Sequence, residues 1–220
     1  MTALQAVLWD MDGTLVDTEP YWISAETELI NSHGGHWSHE DALQLVGKGL
    51  WDSAEIIRAA GVDLSADEIV YTLSDEVRRQ LREQGIPWQP GARELLAELR
   101  DAGVPTALVT MSLREMALEV AENAGFDAFD IVIAGDDVAE PKPHPAPYLA
   151  GIEALGIDAS RAVGIEDSLT GLSSARAAGL AAIGVPHMIS LDGGDAHVVW
   201  STLAGKHIAD LQGVLERVHG

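Results

Sequence analysis

The sequence predicts an α/β fold: a parallel sheet with helices on both faces, and an all-helical insertion after the first strand. Three observations carry this. Short, wholly apolar runs recur along the chain, amphipathic segments ending at glycine separate them, and one stretch near the N-terminus holds helical patterns alone. A continuous apolar run between polar loops suits a strand buried on both faces. Regular alternation of such runs with helices makes the strands parallel.

The first run is Ala6-Val7-Leu8-Trp9, which ends at Asp10. From about residue 17 to 85 the patterns are helical only, over roughly 20–33, 39–46, 50–60 and 66–84. Gly and Pro concentrate at 17–20 and 85–90, the expected hinges of this insertion. From about 88 onward, strand and helix alternate. Apolar runs lie at 106–110, 131–134, 162–165 and 181–185. The helical patterns 92–102, 113–124, 145–155 and 168–178 are each followed by glycine, at 103, 125, 156 and 179. Glycine takes the left-handed conformation that commonly ends a helix. The expected division is a Rossmann-like core, 1–16 and 88–220, with a helical unit at 17–87.

Composition narrows the function. Acidic residues outnumber basic ones 35 to 13, for a formal charge of −22 over 220 residues. A basic stripe that tracks nucleic acid is not expected. The same charge repels anions at long range, so a phosphate site must be built locally from a metal, a lysine and backbone N–H groups. The absence of cysteine excludes disulfides, thiolate metal sites and cysteine nucleophiles. No apolar run approaches the ~20 residues that span a bilayer. Residues 1–12 lack the basic start of a secretory signal. A cytoplasmic monomer with no nucleic-acid or membrane partner is expected.

Ligands of open parallel sheets bind at the carboxyl ends of the strands. Asp10 and Asp12 follow the first run, Thr110, Met111 and Ser112 the second, Lys142 lies beyond the third, and Glu166, Asp167 and Ser168 follow the fourth. Asp10 and Asp12 share a side if the chain stays extended, and two carboxylates so close repel each other without a cation. Magnesium prefers oxygen ligands and binds through one or two carboxylates plus substrate phosphate. Asp167 can add a carboxylate, with Glu166 as a helper. With a phosphate bound, one carboxylate can act as nucleophile, giving an aspartyl-phosphate, and the other as general acid and base. Magnesium and Lys142 would neutralise the phosphoryl oxygens, and Thr110 can donate a hydroxyl hydrogen bond. Each fragment alone has a plain structural explanation. Asp-x-Asp suits a turn, Thr110 a strand end, Lys142 an exposed loop, and Glu-Asp-Ser an N-cap with first-turn acids. Together and in order at strand ends, they point to phosphoryl chemistry.

Four motifs carry a family resemblance: Asp10-Met11-Asp12-Gly13-Thr14-Leu15-Val16-Asp17-Thr18-Glu19, Val109-Thr110-Met111-Ser112, Pro141-Lys142-Pro143-His144-Pro145 and Gly164-Ile165-Glu166-Asp167-Ser168-Leu169-Thr170-Gly171. The chain resembles the haloacid dehalogenase-like superfamily over nearly its whole length. That resemblance implies Asp10 as nucleophile and Asp12 as general acid/base. It implies Thr110 and Lys142 as phosphate binders, with Ser112 beside them. It implies Mg²⁺ held by Asp10, the Asp12 backbone carbonyl and Asp167, with Glu166 close by, and the helical unit as a small cap domain. The dehalogenase branch lacks the second aspartate, so Asp12 argues for phosphoryl transfer.

The closest likeness is to sugar-phosphate phosphatases, phosphoglycolate phosphatases and β-phosphoglucomutases. The expected activity is Mg²⁺-dependent hydrolysis of a small phosphorylated metabolite, a sugar or polyol phosphate or phosphoglycolate. A phosphomutase is the rival. Mutases of this branch carry a cap arginine where Leu50 falls here, although Lys48 is near. A phosphoacceptor signalling domain is shorter and lacks the insertion. A degenerate binding protein sits poorly with the presence of all five of Asp10, Asp12, Thr110, Lys142 and Asp167. Glu19, Gly47, Lys48 and Trp51 are the candidates for reading the leaving group, the glycine-flanked Lys48 being equally consistent with a solvated helix start. Trp22 is a second aromatic candidate, Trp9 is expected in the core, and His144 at a helix start.

Overall fold

A computed structural model describes residues 3–219. Met1, Thr2 and Gly220, at the ends of the expected core segments, lie outside the described residues. Strand β1 (Ala6–Trp9) is followed by four helices, α1 (Glu19–Ser32), α2 (His39–Leu43), α3 (Leu50–Ala59) and α4 (Ala66–Gln84). Then come α5 (Ala92–Asp101), β2 (Thr106–Val109), α6 (Arg114–Glu122), β3 (Ile131–Ile133), α7 (Ala146–Leu155) and β4 (Ala162–Glu166). The chain finishes with α8 (Leu169–Ala177), β5 (Ala181–Gly184), β6 (Val198–Val199) and α9 (Ile208–His219).

The sheet order is β3-β2-β1-β4-β5-β6, and every pairing is parallel. Alternation along β1 divides the core in two. Val7 and Trp9 pack with Leu108, Val163 and Ile165 against Leu96 of α5, Met116 of α6 and Leu211 of α9. Ala6 and Leu8 pack with Ala107 and Val109 against Tyr148 of α7 and Leu172 of α8. Both faces are therefore covered, as expected of strands that read as unbroken apolar runs.

The helices between β1 and α5 start where their sequence says they should. Ser38 and Ser65 each close a capping box, with Asp41 and Glu68, at the starts of α2 and α4. Helix α4 buries Ile69, Leu73, Val77 and Leu81, one residue per turn, and contacts both α1 and α3. Each such side chain stabilises the packing by about 1.5–3 kcal/mol. Arg78 of α4 bonds Glu119 and Glu115 of α6, and Arg82 adds a second bond to Glu119. The two strands of chain that enter and leave these helices run side by side. The Asp17 N–H donates to Pro87 O at 2.7 Å, the Gln89 N–H to Leu15 O at 2.9 Å, and Val16 bridges Trp88 antiparallel.

Helix α2 ends at Leu43, short of the expected 46. The chain turns instead through Gly47, at φ 74°, whose carbonyl accepts from Thr170 Oγ1 at 2.5 Å. Strand β6 and helix α9 lie outside the expected set.

Candidate active site

The adjacency of β2, β1 and β4 brings their carboxyl ends together. Asp10 leaves β1, Thr110 leaves β2, and Glu166 and Asp167 end β4. Lys142 reaches the same place from the loop before α7. Its ammonium is buried and donates to Asp10 Oδ1 at 2.7 Å, Glu166 Oε1 at 2.7 Å and Val109 O at 2.8 Å. Tyr148 donates to the same Glu166 oxygen at 2.6 Å. Glu166 is thus committed largely to fixing Lys142. Burial alone would lower the Lys142 pKa, but the charges of Asp10 and Glu166 outweigh it and push it up.

Asp10, Glu166 and Asp167 offer carboxylate oxygens within 4.8 Å of one another. Asp167 Oδ2 is buried without any hydrogen-bond partner. A side chain at Gly13 would place its Cβ 2.0 Å from that oxygen, so the turn after β1 keeps the space beside Asp167 free. Burial first, then Glu166, raises Asp10 to about 7 against the pull of Lys142. Burial, then the charges of Asp10 and Glu166, lifts Asp167 well above the usual carboxylate range. A crowded all-oxygen donor set with an orphaned lone pair fits a hard divalent cation such as Mg²⁺.

Asp12 faces elsewhere. Its Oδ1 accepts from Thr18 Oγ1 and, at 3.2 Å, from the Trp22 indole. Its Oδ2 accepts from Ser112 Oγ at 2.7 Å and Thr110 Oγ1 at 3.2 Å. Two aspartates two residues apart therefore meet different surroundings, one a lysine and two acids, the other four neutral donors. Thr110 and Ser112 direct their hydroxyls at Asp12, an arrangement not foreseen from the sequence. Ser168 caps α8 by accepting from the Gly171 N–H at 3.1 Å, the N-cap expected of Glu-Asp-Ser.

An open cleft lies between these strand ends and the helices α1–α4. Asp10, Asp12, Lys142 and Asp167 line its floor, and Glu19, Gly47 and Lys48 line it from the helices. Trp51 does not join them. Its indole N–H donates to Asp67 at 2.8 Å, which turns the ring toward a neighbouring groove with Tyr71 and Pro141. Trp22 is the tryptophan in the cleft, and Trp9 is fully buried as expected. His144 precedes α7 and accepts from the Ala146 N–H. Sequence reasoning missed Thr18 and Glu26. The signal for Glu26 was spacing. Glu19, Trp22 and Glu26 recur at helical intervals along the face of α1 that also buries Ala25 and Leu29.

Residues 4–179 match the family model described as haloacid dehalogenase-like hydrolase. The chain belongs to that family. This hydrolase is 29% identical over 98% of its length to all of the phosphorylated carbohydrates phosphatase of Thermotoga maritima. It is 31% identical to a phosphoglycolate phosphatase of Yersinia pseudotuberculosis over 84% of this chain and 82% of that one. Among solved structures it resembles CbbY from Rhodobacter sphaeroides in complex with phosphate, at a TM-score of 0.85 and 28% identity, covering 95% of this chain and 99% of that one. The enzyme class expected from the motifs thus agrees with relatives named as phosphatases. Among the described residues of the hydrolase, no helix is long and apolar enough to cross a membrane.

Proposed function

We propose that this hydrolase is a Mg²⁺-dependent phosphatase of a small phosphorylated metabolite, a sugar or polyol phosphate or phosphoglycolate, working through an aspartyl-phosphate on Asp10. The supporting observation is the division of surroundings between Asp10, against Lys142, and Asp12, against hydroxyls and an indole. Residues 17–87 act as a cap over a core of 1–16 and 88–220, closing the cleft against bulk water.

A carboxylate oxygen of Asp10 attacks phosphorus while the P–O bond to the leaving alcohol breaks. Asp12, protonated at that moment, gives its proton to the departing oxygen. It then takes a proton from the water that attacks the phosphoryl group, which frees Asp10 and inorganic phosphate. Lys142 balances charge on the phosphoryl oxygens and holds Asp10 in line. Mg²⁺ would be held by Asp10, Asp167 and the Asp12 backbone carbonyl, with Glu166 adjoining, and supplies charge neutralisation at the phosphoryl group. Thr18, Trp22, Thr110 and Ser112 orient Asp12 so that its proton faces the cleft.

The test is phosphate release from a panel of phosphorylated sugars, polyols and small acids, with Mg²⁺ or EDTA, by wild type and Asp10→Asn. Release should require Mg²⁺ and fall on the order of 10³-fold or more in the variant. Conversion of a hexose 1-phosphate to its 6-phosphate without release would make the enzyme a mutase.

A further inference from the structure

Helix α1 presents two carboxyls to the cleft that the chemistry above does not use. Glu19 and Glu26 both line it, and they are only 8% and 6% exposed. The protein supplies them with few partners. Among the described residues, Glu26 accepts one side-chain hydrogen bond, from the Trp37 indole to Oε2 at 3.3 Å, and the Glu19 carboxyl accepts none. Their carboxyls therefore keep acceptor capacity turned to the cleft, where the hydroxyls of a ligand can use it.

Their placement says which part of a ligand they meet. The Trp22 indole bonds Asp12, the proton donor to the leaving oxygen in the mechanism proposed above. Glu26 lies four residues farther along α1, a rise of about 6 Å. A leaving group that extends from Asp12 along α1 meets Glu19 and Glu26 on the wall of the same cleft. Among the described residues, Lys48 is the one cation that lines this upper wall, against two carboxyls, and the preceding Gly47 carbonyl is tied to Thr170 on the floor.

We infer that Glu26, supported by Glu19, is a specificity residue that selects a neutral polyhydroxylated leaving group, a sugar or polyol, and rejects one ending in a carboxylate. This rests on the phosphatase reading and narrows its substrate. A hydroxyl donates to a carboxylate and accepts from a carboxylic acid, so it satisfies Glu26 in either state. A carboxylate in the same place has no proton to donate to the ionised Glu26 and is repelled by it, so the discrimination sharpens as the pH rises above about 7. Burial, opposed by the Trp37 hydrogen bond, raises Glu26 to about 7. Burial, then the charges of Asp12 and Glu26, raises Glu19 to about 8.

Matched esters test this: glycerol 3-phosphate against 3-phosphoglycerate, and glucose 6-phosphate against 6-phosphogluconate, each with Mg²⁺. The readout is the ratio of kcat/KM within a pair, measured on one preparation, so that loss of folded protein cancels. Wild type should favour the hydroxyl-ended ester by about tenfold or more. Glu26→Leu should lower the ratio about tenfold through the KM of the hydroxylated ester. Glu26→Gln keeps shape and hydrogen bonding, and should lower it by improving the carboxylate-ended ester. Wild-type preference for the acids, or a ratio unmoved in both variants, overturns the inference. Cleavage of neither pair while other phosphomonoesters are hydrolysed overturns the substrate class alone. No Mg²⁺-dependent release from any ester overturns the phosphatase reading beneath it.

Discussion

Asp10 and Asp12 are chemically identical, and only their neighbours separate them. Asp10 is paired with a lysine inside an acidic cluster, while Asp12 is held by hydroxyls and an indole. Glu26 shows the cost of a site residue to the fold itself. Its folded-state pKa, about 7, exceeds the 4.5 of a free glutamate. The folded chain therefore keeps a proton that the unfolded chain releases. Glu26 carries no penalty below pH 4.5, and stability is lost as the pH climbs from 4.5 to about 7. The loss is on the order of 3 kcal/mol. Glu26→Gln removes this titration. Denaturant unfolding of both proteins from pH 4.5 to 8, in EDTA, should find the variant gaining relative to wild type as the pH rises. A constant difference across that range would mean that Glu26 is already ionised in the folded protein.

At the scale of the element, two glycines in helices meet opposite constraints. Helix propensity alone favours alanine over glycine by about 1 kcal/mol. At Gly213 in α9 an added Cβ meets nothing within 4 Å. Gly213→Ala should raise the melting temperature by about 2–4 °C. At Gly171, in the first turn of α8, the same Cβ would lie 1.9 Å from Glu166 Oε2. Gly171→Ala must displace Glu166, and with it the anchor of Lys142. Its melting temperature should fall, and kcat/KM should drop on the order of a hundredfold. If Gly171→Ala matched Gly213→Ala by thermal melting and kinetics, α8 would not position the site.

The same contrast explains what could be read beforehand. Strands β1, β2, β4 and β5 are wholly buried, so each reads as an apolar run, and the chemistry follows at its end. Strand β6 is two residues at the sheet edge, too short to leave a pattern. Helix α9 carries Leu211, Val214 and Leu215 at helical spacing, but it follows a long irregular stretch with no strand-like run. The convergence of Asp10 and Asp167 was legible because parallel strands fix where their ends meet, while Lys142 arrives on the loop before α7. The choice of Trp22 over Trp51 was not, because it depends on how α1 and α3 sit over the sheet.

For the whole molecule, the −22 charge opposes the approach of any phosphate ester. Only three lysines occur in the chain, and Lys48 and Lys142 both line the cleft. The attraction is therefore short-ranged and the repulsion long-ranged. Raising salt from about 10 to 150 mM shortens the screening length from about 30 to 8 Å. It should suppress the repulsion first, raising kcat/KM for a phosphate ester by about twofold or more. A fall in kcat/KM over that range would show that the cleft attracts its substrate from afar. The joint between Val16 and Trp88 acts at this scale as well. Because the outgoing and returning chain are stitched together there, the loop-closure cost of everything beyond is settled at one point. Each doubling of the chain hung from that stitch adds only about 0.6 kcal/mol. The sheet is thus nearly indifferent to how much chain lies beyond the joint, and the helices hung from it can change in size while the strand ends stay as they are.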